Sequence, residues 1–151
     1  MDDGTLALDL FMPYRLSITS NLVSERIART YEALFGLTIW EWRVVAVVAE
    51  TGGIAQQAIS QRTRMDKVTV SRAARALVER GLLAKTSKPG DARSHLLTLS
   101  GAGRNLYAQV VPEALDLERR IFGQLDKAER DQFKATLRRI DEITSSVDEE
   151  R

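Results

Sequence analysis

Apolar residues recur at helical spacing along most of this chain. In residues 10–36 they fall every three or four positions, with Pro13 in the first turn and Gly36 as a stop, which predicts a long amphipathic helix. A second helix is predicted from Thr38, because Thr38 and Glu41 have the spacing of a capping box. The near-continuous apolar surface of this second helix indicates that it is buried.

The middle of the chain has the pattern of a short helix, a turn, a longer helix and a β-ribbon. Residues 55–62 are typical of a short helix, and Asp66 of the N-cap of a longer helix that Gly81 ends. Two β-prone runs, residues 82–87 and 94–100, then flank a turn-rich stretch. This arrangement predicts a hairpin with a loop of more than two residues.

Two further helices are predicted after the ribbon. Ser100 caps the first, which carries an apolar series from Leu106 to Leu125 at spacings of three and four. Asp126 and Glu129 form another capping box and open a helix whose apolar series runs from Phe133 to Val147. Together with the first helix, these stripes exceed what one small lobe can cover. We therefore expect a homodimer formed through both ends of the chain.

Composition excludes several classes of chemistry. The 151 residues are 44% hydrophobic and 28% charged, as in one folded soluble unit. There is no cysteine and a single histidine, His95, so we expect no catalytic residues and no metal site. The run Gly101-Ala102-Gly103 has Leu106 at the third glycine position of a dinucleotide fingerprint, so no cofactor is expected. The acidic N-terminus and the lack of a long apolar run predict a cytoplasmic protein without membrane contact.

The net charge of +1 hides an uneven distribution along the chain. Residues 54–104 contain ten Lys or Arg and three acids, a local charge of +7. The remainder contains twelve Lys or Arg and eighteen acids, or −6. A basic middle on an acidic frame is typical of a polyanion-binding surface, so double-stranded DNA is the predicted partner.

The longer helix of the helix pair has one apolar and one polar face. Val70, Ala73, Ala74 and Leu77 share the face predicted to join the core, and polar residues share the other. In the hairpin, we expect Asp91 to hold the guanidinium of a wing arginine in position. The candidate DNA contacts are Arg62, Arg64, Lys67, Thr69, Ser71, Arg72, Arg75, Lys88, Arg93 and Ser94.

Three stretches of the chain resemble the MarR family of winged helix-turn-helix repressors. They are LTIWEWRVVAVV (37–48), MDKVTVSRAARALVERGLLAK (65–85) and PGDARSHLLTLSGAG (89–103). The resemblance covers nearly the whole chain, 1–151, as a single unit. It implies a mainly α fold with a small β-hairpin wing. It also implies a winged helix-turn-helix lobe at 38–100 and a helical dimerisation region at 8–36 plus 101–148. The implied homodimer places two lobes on a palindromic operator.

The chain departs from the family pattern in the turn of the helix pair. Thr63 stands where the family usually has an apolar residue, and Arg64 where it commonly has glycine. Either Arg64 adopts a positive φ, or the turn follows a different path. Both residues add polarity near the expected DNA phosphates.

The predicted function is a sequence-specific, DNA-binding transcriptional regulator, expected to be a ligand-responsive repressor. The alternative is a winged-helix interaction or architectural module without sequence-specific binding. The resemblance implies a ligand cleft, which Tyr14, Arg15, Trp40 and Trp42 would line for a small aromatic or anionic effector. Two simpler interpretations remain open: both tryptophans serve as packing residues, and Tyr14 and Arg15 belong to an ordinary surface.

Overall fold

The computed structural model describes residues 4–88 and 90–149, except for the side chains of residues 88, 91–94, 148 and 149. Its elements confirm a mainly α fold with a small antiparallel hairpin. In chain order they are a 3₁₀ helix (Leu8–Leu10), α1 (Met12–Phe35), α2 (Ile39–Thr51), α3 (Gln56–Thr63), α4 (Lys67–Glu79), β1 (Leu83–Lys88), β2 (Asp91–Leu99), α5 (Gly101–Phe122) and α6 (Lys127–Glu149).

The helix ends lie where the capping residues predict them. Helix α1 ends at Gly36, which adopts the left-handed conformation with φ 62°. At the start of α2, the backbone N–H of Glu41 donates to Thr38 Oγ1 at 3.1 Å, and the N–H of Thr38 donates to Glu41 Oε1 at 2.8 Å. Asp126 and Glu129 exchange the same pair of hydrogen bonds at the start of α6. These local signals therefore fixed the boundaries.

The hairpin differs from its prediction. Pairing is regular up to Ser87 opposite His95, and Lys88 then lies opposite Asp91. Residues 92–94 fall between two partnered positions of β2, where β1 has no counterpart. The polar stretch expected to form a long loop is thus taken up by an irregularity inside β2, so the predicted loop of more than two residues is wrong.

Two sets of hydrogen bonds tie the hairpin to its neighbours. Ile54 and Leu97 exchange backbone hydrogen bonds of 3.1 and 2.8 Å, which join the segment after α2 to β2. Ser100 caps α5 as predicted, accepting from the N–H of Gly103 at 3.0 Å. Its hydroxyl also donates to the carbonyl oxygen of Gly81 at 2.6 Å, which ties the start of α5 to the end of α4.

The chain divides into two compact units, Met1–Ala114 and Leu115–Arg151. The core of the first is formed by apolar side chains of α2, α3, α4 and β2, of which Val44, Ile59, Leu77 and Leu97 are almost fully buried. In the second unit Leu117 is buried. The rings of Phe122 and Phe133 stack there with centroids 6.5 Å apart.

Large apolar side chains remain exposed mainly towards the two ends of the described chain. Within α5, Val110 and Leu117 of the predicted stripe are already buried in a single chain. The uncovered apolar surface therefore lies elsewhere than that stripe. The exposed large apolar side chains before the lobe are Leu6, Leu8, Leu10, Phe11, Met12, Leu16, Leu22 and Leu34, and those after it are Leu115, Phe133, Ile143 and Val147.

Candidate nucleic-acid interface

The turn between α3 and α4 is built from polar residues. Thr63 Oγ1 donates to the carbonyl oxygen of Ile59 at 2.7 Å and accepts from the N–H of Met65 at 3.2 Å. Arg64 has φ 62° and is the sole non-glycine residue with a positive φ in the described part of the chain. The first of the two expectations for this turn is therefore confirmed. The Arg64 side chain is exposed beside the start of α4.

Helix α4 begins at Asp66, which is the N-cap that the sequence predicts. Its carboxylate accepts two hydrogen bonds from Thr69, one from the backbone N–H at 2.8 Å and one from the hydroxyl at 2.7 Å. These bonds favour the ionised form and lower the pKa of Asp66. Because its proton is directed at Asp66, the Thr69 hydroxyl is left to act as an acceptor towards a base.

Helix α4 separates its core face from its solvent face as predicted. Val70, Ala73, Ala74 and Leu77 are buried. On the other side Lys67, Val68, Arg72 and Arg75 are exposed, while Thr69 and Ser71 are half-buried. A shallow surface groove follows this outer face. Its lining residues are Gln56, Lys67, Val68, Ser71, Arg72 and Arg75.

Two members of that groove, Gln56 and Val68, were absent from the candidate contacts. Val68 is apolar, whereas the residue types that indicate DNA contacts are polar or cationic. The helical spacing that places Arg72 outward, four residues on, also places Val68 outward. Gln56 lies on α3, and only the packing of α3 against α4 brings it to the groove.

Arg62 and Arg80, two arginines of the basic middle, are bonded to other parts of the chain. Arg62 forms an ion pair with Glu50 at 3.0 Å, in which both side chains are more than half exposed. The guanidinium of Arg80 donates to the carbonyl oxygens of Gly36 at 3.0 Å and Phe35 at 3.2 Å, where α1 ends. Arg80 was counted with the basic surface, but its guanidinium is bonded to the backbone of another helix.

The exposed cations of α4 differ from these two arginines. Within the described part of the chain, no carboxylate lies within ion-pair distance of Lys67, Arg72 or Arg75. Arg72 and Arg75 share one face of the helix and Lys67 is its first residue, and all three are exposed and line the groove. They are available to an anionic partner without first breaking a salt bridge.

The wing residues are placed by their backbone alone. Lys88 ends β1, and Asp91, Arg93 and Ser94 belong to β2. The side chains of all four lie outside the described residues, so their predicted DNA contacts and the predicted Asp91–Arg93 hydrogen bond stay predictions. His95, the next residue, is exposed.

Trp42 lies in an aromatic cluster of three elements. Its ring makes an edge-on contact with Tyr31 of α1 at 5.5 Å between centroids and stacks on Tyr107 of α5 at 5.8 Å. Tyr31 is buried, and burial raises its pKa. This geometry supports the packing interpretation of Trp42. Tyr31 and Tyr107 had no part in the predicted site, because nothing local in the sequence links them to Trp42.

The four predicted effector residues do not meet within one chain. Trp40 is 45% exposed, with the Arg43 guanidinium 5.1 Å from its ring centroid. Tyr14 and Arg15 lie near the start of α1, whereas contact with Trp42 occurs near its end. Seventeen helical residues, at 1.5 Å each, separate Tyr14 from that contact by about 25 Å.

The described residues offer neither a metal site nor a membrane-spanning helix. Residues 4–88 and 90–149 contain no group of three or more His, Asp or Glu residues that could hold a metal ion. Over the same residues, no helix combines the length and the apolar character that crossing a membrane requires.

Comparison with known proteins shows similarity to one family of transcriptional regulators. Residues 35–94, which include the helix pair, match the sequence model of the MarR family. The transcriptional regulator HosA of Escherichia coli O111:H- is 24% identical over 119 residues, which are 79% of this chain and 88% of HosA.

Two solved structures extend the similarity over nearly the whole chain. A MarR/EmrR family regulator from Acinetobacter sp. ADP1 has a TM-score of 0.86 at 23% identity, covering 93% of this chain and 99% of that one. BpsR of Bordetella bronchiseptica, whose DNA binding is regulated by 6-hydroxynicotinic acid, has a TM-score of 0.83 at 26% identity, covering 91% of this chain and 98% of BpsR. Residues 35–94 thus match the MarR family in sequence, and the chain as a whole has the fold of MarR family transcriptional regulators.

Proposed function

We propose that this protein is a sequence-specific transcriptional repressor that binds a palindromic DNA operator as a homodimer and releases it on binding a small effector. The observation that carries the proposal is the outer face of α4. There, two unpaired cations, Arg72 and Arg75, lie opposite an apolar face that packs into the core, and a third, Lys67, is exposed at the start of the helix.

In this proposal α4 enters the major groove, which is wide enough to admit an α-helix. Arg72 donates to a guanine edge, and Ser71 offers a hydroxyl that can donate or accept. Arg75 and Arg64 bind phosphates and set the register without reading sequence. The wing residues Lys88, Arg93 and Ser94 extend the contact, with Asp91 holding Arg93.

The apolar surface left exposed at the chain ends supports a dimer. Leu16 and Leu22 of α1 and Ile143 and Val147 of α6 are each about half exposed or more. Burying such side chains removes apolar area from water and favours association. A two-fold axis through residues 8–36 and 101–148 would present two α4 helices to half-sites one helical turn apart, which requires an inverted repeat in the DNA.

The proposed effector is a small aromatic or anionic molecule. The regulation of BpsR by 6-hydroxynicotinic acid supports this class. Trp40 and Trp42 lie together near the start of α2, but Tyr14 and Arg15 lie at the other end of α1. A pocket containing all four would therefore take Tyr14 and Arg15 from the second copy of a homodimer. Trp42 would report ligand entry by fluorescence.

Selection of bound sites from a random duplex pool tests the DNA claim. We expect an enriched inverted repeat with half-sites about one helical turn apart. The affinity for it should fall with salt, because binding releases counterions from the phosphates. Arg72→Ala should relax the preference at one position of each half-site. Salt-dependent binding without enrichment would favour an architectural module, and no retention on DNA would favour a protein-interaction module.

The repressor claim needs a second measurement. Placed across a promoter, the selected operator should lower transcription in a reconstituted system, and an effector should restore it. Increased transcription would make the protein an activator and leave the DNA claim standing. Phenolic and pyridine carboxylates are suitable first effectors. A compound that binds should change both tryptophan fluorescence and operator affinity.

A further inference from the structure

Val68 is an unusual residue for its place in the molecule. In the described part of residues 38–100, two large apolar side chains are exposed, Trp40 and Val68. The Trp40 ring lies beneath the Arg43 guanidinium. Val68 is 59% exposed and belongs to the first turn of α4, between Lys67 and the half-buried Thr69.

Helical geometry places Val68 at the centre of the solvent face. At about 100° per residue, Val68 lies about half a turn from the fully buried Leu77, nine residues on. Arg72 and Arg75 follow it at spacings of four and three, so the three side chains form one stripe. Val68 also lines the groove that runs along this stripe.

In the free protein, a branched apolar residue at that position contributes little to the stability of the fold. Valine is a weaker helix former than alanine, and an exposed side chain buries little apolar surface. The stripe it occupies is the face proposed to meet the bases. The major groove offers one apolar group, the 5-methyl of thymine, and small apolar side chains are the groups that contact it.

We propose that Val68 is a specificity-determining residue that recognises a thymine methyl in each half-site, an inference that rests on the proposed function. The fixed first turn supports this role, because the Asp66–Thr69 hydrogen bonds hold the backbone on both sides of Val68. Val68 supplies the apolar contact and Arg72 the polar one.

The spacing of these two residues limits where the thymine lies. Four residues of helix advance about 6 Å, and successive bases along one strand are about 3.4 Å apart. The thymine read by Val68 therefore lies within about two base pairs of the base read by Arg72. A dinucleotide or trinucleotide containing both should dominate each half-site.

Replacement of thymine by uracil tests the contact directly, because it removes the methyl group and leaves the hydrogen-bonding edge unchanged. In the selected operator, each thymine of one half-site is replaced in turn. At one position, near the base whose preference Arg72→Ala relaxes, uracil should weaken binding of the unaltered protein about fourfold, as expected for one buried methyl group. Val68→Ala should bind the thymine and uracil duplexes equally, and Val68→Thr, which keeps one methyl, should fall between.

Arg75→Ala is the matched control on the same stripe. It should weaken both duplexes and keep the fourfold thymine-to-uracil ratio, since a phosphate contact is indifferent to the base. Thermal unfolding of each variant verifies that it is folded, and the exposed position of Val68 predicts little change.

The outcomes separate this inference from the proposed function. If the unaltered protein prefers the operator to random duplex but no uracil weakens binding, or Val68→Ala keeps the full ratio at every position, the inference is overturned and the proposed function stands. If the unaltered protein shows no preference for any duplex, both are overturned.

Discussion

The winged lobe (residues 38–100) and the terminal segments (residues 4–37 and 101–149) treat their apolar residues in opposite ways. In the described part of the lobe, almost every large apolar side chain is covered, and the exceptions are Trp40 and Val68. The terminal segments leave twelve such side chains exposed. The apolar side chains of the lobe are covered within the chain, whereas the terminal segments present apolar surface that a partner would cover.

Charge follows the same division. Most of the basic residues of the chain's +7 middle lie in the lobe, and on α4 the cations Lys67, Arg72 and Arg75 have no carboxylate partner in the described chain. Exposed cations on a closed core indicate a surface for a polyanion. Exposed apolar residues on helices of nearly balanced charge indicate a protein interface instead. Substitutions should therefore be able to disrupt dimerisation and DNA binding separately.

The largest expected effect comes from a charge placed on the apolar face of α6. Ile143 is 52% exposed in the single chain, so Ile143→Asp should leave the fold of that chain intact. In a symmetric dimer the substitution would bury two unpaired carboxylates, and each burial costs several kcal/mol of association free energy. The dimer dissociation constant should therefore rise by more than about a hundredfold. Sedimentation velocity measures the dissociation.

The matched control is Ser145→Asp, which adds the same charge on the other side of α6. Ser145 is exposed and polar, so its variant should remain dimeric and bind operator like the unaltered protein. A dimeric Ile143→Asp variant with full operator affinity would show that this face of α6 is not an interface.

A second pair of variants distinguishes base contacts from phosphate contacts within α4. Arg72→Ala should cost about 1–3 kcal/mol of operator binding and relax the preference at one base position. Arg75→Ala should weaken operator and random duplex alike and lower the salt slope by about one. Binding titrations at several salt concentrations separate the two. Equal losses on both DNAs for both variants would show that α4 does not read sequence.

Arg80 should behave unlike the other arginines of the basic middle. Because its guanidinium is bonded to the carbonyl oxygens at the end of α1, Arg80→Ala should lower the free energy of unfolding by about 1 kcal/mol. The salt slope of DNA binding should stay unchanged, in contrast to Arg75→Ala. A slope reduced by about one would instead place Arg80 on a phosphate.

Arg64 adds a positive charge to the turn but lowers the stability of the fold, because its φ is positive. Glycine adopts a positive φ without the steric cost of a Cβ atom, so Arg64→Gly should raise the free energy of unfolding by about 0.5–1 kcal/mol. The same variant should weaken DNA binding and lower the salt slope. Chemical denaturation and DNA titration on one sample measure both. A variant that is stabilised and binds fully would remove Arg64 from the interface.

The smallest expected effect is on the stability of the protein at acidic pH. The pKa of Asp66 is lowered in the folded state, so its contribution to stability is present above its unfolded pKa and is lost as the pH falls through the folded value. Asp66→Asn keeps a capping oxygen but cannot titrate. Its unfolding curve should therefore depend less on pH below about 4 than that of the unaltered protein. Identical acid dependence would contradict the role of this carboxylate.

The sequence by itself determined the local features. The capping residues Thr38, Asp66 and Asp126 marked helix starts because their side chains bond backbone only three residues away. The alternation of faces on α4 followed from helix periodicity, and Gly36 from its need for a positive φ. Each of these depends on interactions within one turn of chain, which a sequence displays directly.

Only the tertiary structure decided which distant residues meet. It placed Arg80 against the end of α1, 44 residues back, and Trp42 between Tyr31 and Tyr107. It also placed residues 92–94 in an irregularity of β2, where the sequence predicts a long loop. Such contacts depend on how whole elements pack, and many residues could satisfy them equally. The residue types therefore do not disclose the partner. Packing alone separated Arg80, which is bonded to the backbone of α1, from Arg72 and Arg75, which have no ion-pair partner in the described chain.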